Sequence, residues 1–142
     1  MHERVIIAED ETGVRELLEE VLSGAGYDVT GYAGGAHALE AIVRGDDADV
    51  VITDLRMPGM GGEQLLAEIR KRRPEINVVV ITAFGSIESA IGMVKAGAYD
   101  YLTKPFSSDE LLLTVQRAME EGRLRREVSR LARGDGGVPG FI

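Results

Sequence analysis

The chain has 142 residues, 44% of them hydrophobic and 28% charged, enough for one domain with a hydrophobic core plus a tail. Lys and Arg number 16 against 24 Asp and Glu, a net charge of -8, which argues against direct nucleic-acid contact by this segment. Cysteine is absent, so no disulfide framework or thiolate metal site exists. With no bilayer-length apolar run and no signal-peptide layout, the composition suits the cytoplasm rather than a membrane.

Arg4-Val5-Ile6-Ile7-Ala8 reads as a short strand that stops at the acidic pair Glu9-Asp10. Val14, Leu17, Leu18, Val21 and Leu22 recur at helical spacing, and Gly24-Ala25-Gly26 ends that helix. Asp28 to Tyr32 is a weaker strand, expected near a sheet edge because Gly and Asp are poor strand formers. A small-residue helix follows with Ala38, Leu39, Ala41 and Ile42 inward, closed by Gly45-Asp46-Asp47.

Val50-Val51-Ile52-Thr53-Asp54 is apolar and β-branched on both faces, the pattern of a buried parallel strand, and it delivers one aspartate to the Met57-Pro58-Gly59 turn. Leu65, Leu66 and Ile69 mark a third helix halted by Pro74. Asn77-Val78-Val79-Val80-Ile81 is a further buried strand ending at Thr82. Ile87, Ala90, Ile91 and Val94 mark a fourth helix that stops at Gly97, and Tyr99 to Thr103 runs into Lys104-Pro105 as a fifth strand. Ser107 and Glu110 have the capping-box spacing and open a long last helix.

Five strands alternating with five helices call for an α/β fold with a parallel sheet covered on both faces. The last helix outlasts that domain. Residues 1–120 are read as the domain, and residues 121–133 as a charged helical linker. In that linker Leu124, Val128 and Leu131 have the four-then-three spacing of a coiled-coil seam. Residues 134–142 read as a flexible Gly-rich linker whose apolar end, Phe141-Ile142, suggests a further domain in a longer protein. His2 and His37 have no metal-ligand spacing and are expected at the surface.

In a doubly wound sheet the carboxyl ends of the strands gather at one edge, where ligands bind. There the first strand brings Glu9 and Asp10, the third Asp54, the fourth Thr82 and the fifth Lys104. Clustered carboxylates need neutralising, and an all-oxygen set with one lysine favours Mg²⁺. An aspartate so placed can attack phosphorus, with Mg²⁺ and Lys104 stabilising charge on the equatorial oxygens and Thr82 bonding a phosphate oxygen. The small Ala83 leaves room for a bulky donor.

At Glu9-Asp10, Asp54-Leu55-Arg56-Met57-Pro58, Thr82-Ala83 and Lys104-Pro105-Phe106 the sequence resembles the receiver domain of bacterial two-component response regulators, over roughly residues 4 to 120. The resemblance implies a flavodoxin-like (βα)5 fold with strand order 2-1-3-4-5, an order the receiver family itself illustrates, here with a C-terminal helical extension. It further implies that Asp54 accepts a phosphoryl group from a sensor histidine kinase, making the domain a phosphoacceptor and not a metabolic enzyme. By the same resemblance Asp10, Asp54 and the backbone carbonyl of Arg56 hold Mg²⁺, with Glu9 acting through water. Thr82 and Lys104 hold the phosphate, and the Lys104-Pro105 bond is cis. Tyr101 matches the family's aromatic switch, which turns inward as the Thr moves to phosphate. Two departures from the pattern stand out: Glu9 replaces a common Asp, and Gly61 replaces a common acid or polar residue.

The Leu124-Arg125-Arg126-Glu127-Val128 stretch and the Gly-rich tail resemble the junction in NtrC-type regulators. That likeness implies a homodimer through the helical linker, and a downstream AAA+ ATPase acting on sigma-54 polymerase with a DNA-binding domain. Three other readings compete with this one. A flavin or nucleotide carrier needs a Gly/Ser-rich phosphate loop where this chain has Glu9-Asp10-Glu11. A small-molecule aspartyl-phosphatase needs a cap domain and a second acid two residues past Asp54. A non-phosphorylated dimerisation module of receiver fold is opposed by the intact acid set.

Overall fold

A computed structural model of the chain describes residues 3–83 and 87–134. His2 and residues 135–142 of the expected tail lie outside the described residues, while Gly134, expected to begin that tail, is the last residue of the final helix. The elements alternate as read: β1 (Arg4–Ala8), α1 (Thr12–Gly24), β2 (Asp28–Tyr32), α2 (Gly35–Val43), β3 (Val50–Asp54), α3 (Gly62–Arg72), β4 (Asn77–Ala83), α4 (Ile87–Lys95), β5 (Asp100–Lys104) and α5 (Ser108–Gly134). All strand pairs are parallel, in the order β2-β1-β3-β4-β5. The chain therefore has the flavodoxin-like arrangement, with β2 and β5 at the edges.

Alternation along each strand splits the core into two layers. Ile6, Ala8, Val51, Val78 and Val80 face α2, α3 and α4, where they meet Ala38, Ile42, Leu65, Leu66, Ile69 and Met93. Val5, Ile7, Val50, Ile52, Val79, Ile81 and Leu102 face α1 and α5, against Leu18, Leu22, Leu111, Val115, Ala118 and Met119. The three central strands are buried on both faces, which is why they read as unbroken apolar runs. Helices α2, α3 and α4 share one layer and α1 and α5 the other; the β2–α2–β3 connection passes over β1, and every other crossover reaches an adjacent parallel strand.

Local chemistry closes the elements as the sequence suggested. Ser107 Oγ accepts from the Glu110 N–H and Glu110 Oε1 accepts from the Ser107 N–H, both at 3.0 Å, a reciprocal capping box. Gly26, Gly45 and Gly97 end helices with positive φ. His37 is exposed, as expected.

Three assignments differ. The last strand is Asp100–Lys104, shifted one residue toward the site from the expected Tyr99 start. On α4, Ile91 and Val94 are exposed while Met93 points inward with Ala90. Apolar type alone misassigned that face, because a nine-residue helix with apolar residues on several sides does not define a single stripe. On α1, Leu17 is likewise exposed beside buried Leu18.

Candidate functional site

Register decides which side chains meet. Ala8 lies opposite Thr53, so Glu9 follows beside Asp54; Asp54 lies opposite Ile81 and Lys104 opposite Ala83. Since opposed residues share a face, Glu9, Asp54 and Lys104 fall on the α1/α5 side of the sheet edge, and Thr82 falls on the other side with Tyr101. Tyr101 is half-buried, packed on the α3/α4 layer, opposite Val80. Tyr99 packs against the other layer, in keeping with a role in the core.

Asp54 is 8% exposed and held at both oxygens. Its Oδ1 accepts the Arg56 backbone N–H at 3.1 Å, and its Oδ2 accepts from Lys104 Nζ at 2.8 Å. Glu9 is 1% exposed; its Oε2 accepts the Glu11 N–H at 3.0 Å. Glu9 Oε1 is buried without a hydrogen-bond partner, with Lys104 Nζ at 3.4 Å. Asp10 is exposed at the mouth. One carboxylate oxygen from each of Glu9, Asp10 and Asp54 lies within 4.8 Å of the others. Thr82 is 1% exposed, and its hydroxyl donates to the Ala83 carbonyl at 3.3 Å. The Lys104-Pro105 peptide is cis.

Burial pushes the Glu9 carboxyl up to about 7, and the adjacent Asp54 adds to the rise, against the Glu11 N–H and Lys104, which favour the ion. Burial alone would lower Lys104, but its hydrogen bond to Asp54 and the charges of Asp54 and Glu9 outweigh that and raise it. The edge thus holds more acid than its one nearby ammonium satisfies. An orphaned buried oxygen beside two further carboxylates is the donor set of a hard, oxygen-seeking divalent cation, so these residues fit such an ion.

Sequence reasoning missed two supports. Arg15, in the first turns of α1, donates to the Glu9 carbonyl at 2.8 Å and pins the loop that carries the acids. Gly62 lies so close to the end of β3 that a Cβ there would stand 2.6 Å from the Asp54 carbonyl oxygen. The Gly62 N–H in turn donates to Leu55 O at 2.9 Å. Arg15 carries no spacing signal, and Gly62 reads in sequence as one more turn glycine.

The family described as the response regulator receiver domain matches residues 5–116. Among curated proteins, the DNA-binding transcriptional regulator NtrC of Escherichia coli (strain K12) is 40% identical over 115 residues, 81% of this chain and 24% of that protein. The C4-dicarboxylate transport transcriptional regulatory protein DctD of Rhizobium meliloti (strain 1021) is 35% identical over 91% of this chain and 28% of its own length. The chain thus spans about a quarter of the length of these relatives. Among solved structures, NtrX from Brucella abortus in complex with ADP superposes with a TM-score of 0.87 at 37% identity, covering 92% of this chain and 30% of that one. A response regulator receiver domain protein from Clostridium thermocellum does so with 0.82 at 28% identity, covering 86% and 98%.

Proposed function

The chain belongs to the response regulator receiver domain family, and from that premise we propose that Asp54 is the phosphoacceptor of a signalling switch charged by a sensor histidine kinase. The observation that carries the reading is the set of four strand ends meeting at one edge: Glu9 and Asp54 buried, both in reach of Lys104, with buried Thr82 on the adjoining strand. An Asp54 carboxylate oxygen forms a bond to phosphorus while the bond from phosphorus to the kinase imidazole nitrogen breaks, and the departing ring takes up a proton. Lys104 moves from the Asp54 carboxylate to a phosphoryl oxygen, as its 2.8 Å contact with the attacked residue allows. Asp10, Asp54 and the Arg56 carbonyl, with Glu9 through water, would hold Mg²⁺, which when bound would supply positive charge against the carboxylates and the incoming phosphoryl group. The domain is a self-modifying phosphoacceptor and turns over no external substrate beyond the phosphodonor.

Thr82 turns its hydroxyl from the Ala83 carbonyl to the phosphoryl group, vacating space on the sheet face it shares with Tyr101. The Tyr101 ring then moves inward and remodels the α4-β5-α5 surface, which already exposes Ile91 and Val94. Leu124, Val128 and Leu131, all more than half exposed on α5, form the seam of a homodimer whose arrangement follows the switch. Likeness to NtrC and DctD supports an output through an AAA+ sigma-54 activator and a DNA-binding domain in a cytoplasmic full-length protein. Residues 1–120 act as receiver, 121–133 as helical linker and 134–142 as the tether. Among the described residues no helix is long and apolar enough to cross a membrane.

Intact mass after incubation with acetyl phosphate and Mg²⁺ tests the reading, with oligomer size read in parallel. One added phosphoryl group, lost in Asp54→Asn and on chelation, is expected. No adduct from acetyl phosphate or from a kinase, together with no binding of beryllofluoride, leaves the alternative of a non-phosphorylated dimerisation module.

A further inference from the structure

The amino end of β4 carries a second polar assembly, far along the strand from Thr82. Asn77 is 7% exposed, and every hydrogen bond of its carboxamide goes to α5. Its Nδ2 donates to the Ala118 carbonyl at 2.9 Å and to Glu121 Oε1 at 2.8 Å. Its Oδ1 accepts from Arg125 at 3.0 Å, and the same guanidinium nitrogen donates to the Glu75 carbonyl at 3.3 Å and pairs with Glu121 at 3.3 Å. Arg126 reaches Asp49 at 3.5 Å, beside the loop whose carbonyl accepts the Asn77 N–H. Gly122 is buried between them: a Cβ there would stand 3.3 Å from Arg126 and 3.5 Å from Asn77 Nδ2.

Apolar packing of α5 on the sheet ends at Met119. A helix with nothing further to bury should leave the domain there, yet it stays attached for two more turns through polar contacts alone. From Glu127 to Leu131 every side chain is exposed. A buried carboxamide is costly unless its donors and acceptor are used, so Asn77 is satisfied only while α5 keeps this one direction and rotation.

We infer that Asn77 is a positioning residue through which β4, the strand that carries Thr82 at its other end, fixes the direction in which α5 leaves the domain. The rigid body then extends to Arg126, and the stripe of Leu124, Val128 and Leu131 is presented on the side away from it. Its regulatory meaning rests on the proposed phosphoacceptor role: a shift of β4 at Thr82 reaches the helical extension along the strand itself, separately from the Tyr101 surface.

Amide hydrogen exchange on the whole chain tests this, with Asn77→Ala, Arg125→Ala and an exposed control, Arg44→Ala. Loss of the latch is expected to speed exchange at residues 120–127 by about tenfold or more, with residues 50–54 unchanged. Unaltered exchange at 120–127 in both latch variants, or a uniform rise across the sheet in both, overturns the inference. In a second arm, beryllofluoride and Mg²⁺ are added to wild type and Arg125→Ala. Protection at residues 54–57 reports the phosphoacceptor role by itself. If it appears and residues 120–127 respond alike in both proteins, the latch does not steer the helix. A response in wild type that the variant lacks upholds it. If protection at 54–57 never appears, the phosphoacceptor reading fails, and the first arm still judges the latch.

Discussion

Gly62 and Gly61 are neighbours in sequence, and the fold separates them sharply. A methyl group on Gly62 would lie 2.6 Å from the Asp54 carbonyl oxygen and 3.1 Å from the Leu55 Cα; on Gly61 the nearest atom is Leu55 O at 3.3 Å. Ordinary contact begins near 3.4 Å, so Gly62→Ala must move the end of β3 or the start of α3 by most of an ångström. Neither yields readily. The Asp54 carbonyl accepts from Thr53 Oγ1, Leu55 N–H is bonded to Ile81 O, and Gly62 N–H to Leu55 O, each at 2.9 Å. Forced overpacking costs about 1–3 kcal/mol, offset by roughly 0.5–1 kcal/mol for the restricted unfolded chain. The net loss is about 1–2 kcal/mol, which at a slope near 2 kcal/mol per molar lowers the urea midpoint by roughly 0.5–1 M. Gly61→Ala should stay within about 0.5 kcal/mol of wild type, as substitutions outside such close contacts do. Paired urea titrations followed by circular dichroism measure both. Equal midpoints for the two variants would refute the claim that the start of α3 is packed against the end of β3. The same displacement shifts Asp54, so Gly62→Ala is also expected to take up phosphoryl groups more slowly than Gly61→Ala.

Glu9 gives a pH signature: its carboxyl is raised to about 7 in the fold from 4.5, so the folded state holds the proton more tightly. Its contribution to metal-free stability is full at low pH and falls between about pH 4.5 and 7, by up to about 1.4 kcal/mol per pH unit. Glu9→Gln should flatten that fall, and parallel wild-type and variant curves of urea midpoint against pH would refute it. Mg²⁺ at a hundred times its dissociation constant should stabilise the wild type by about 2.7 kcal/mol, read as a rise in Tm, and much less in Asp10→Asn, an exposed position that leaves the fold intact. Gly92, in α4 with nothing within 4 Å of a Cβ, should accept alanine with a gain of about 0.5–1 kcal/mol in urea unfolding. Leu124→Lys with Val128→Lys should lower dimer mass in light scattering while leaving phosphorylation of Asp54 untouched; an unchanged mass would remove the seam from consideration.

The acidic edge is legible in the sequence because its residues stand at or just beside the carboxyl ends of strands. Glu9, Asp54 and Thr82 follow β-branched apolar runs, Lys104 closes the mixed Asp100–Lys104 strand, and parallel pairing brings such ends together whatever the loops do. Strand order and the cis peptide came with the family likeness. What sequence concealed depends on partners far along the chain. Asn77 reads as the first letter of a strand, and only the fold shows its bonds to residues 41 to 48 positions away. The same holds for Gly62, whose closeness to Asp54 leaves no trace in turn composition. On α4, Met93 buries in place of Ile91 and Val94 because helix rotation is set by the sheet beneath it and not by hydrophobicity rank.

Lys104 sits on β5, an edge strand joined to the sheet through β4 alone. Fraying of that one strand withdraws the ammonium while four strands stay paired. Local melting at that margin would leave Glu9, Asp10 and Asp54 as an unneutralised anionic notch without unfolding the core.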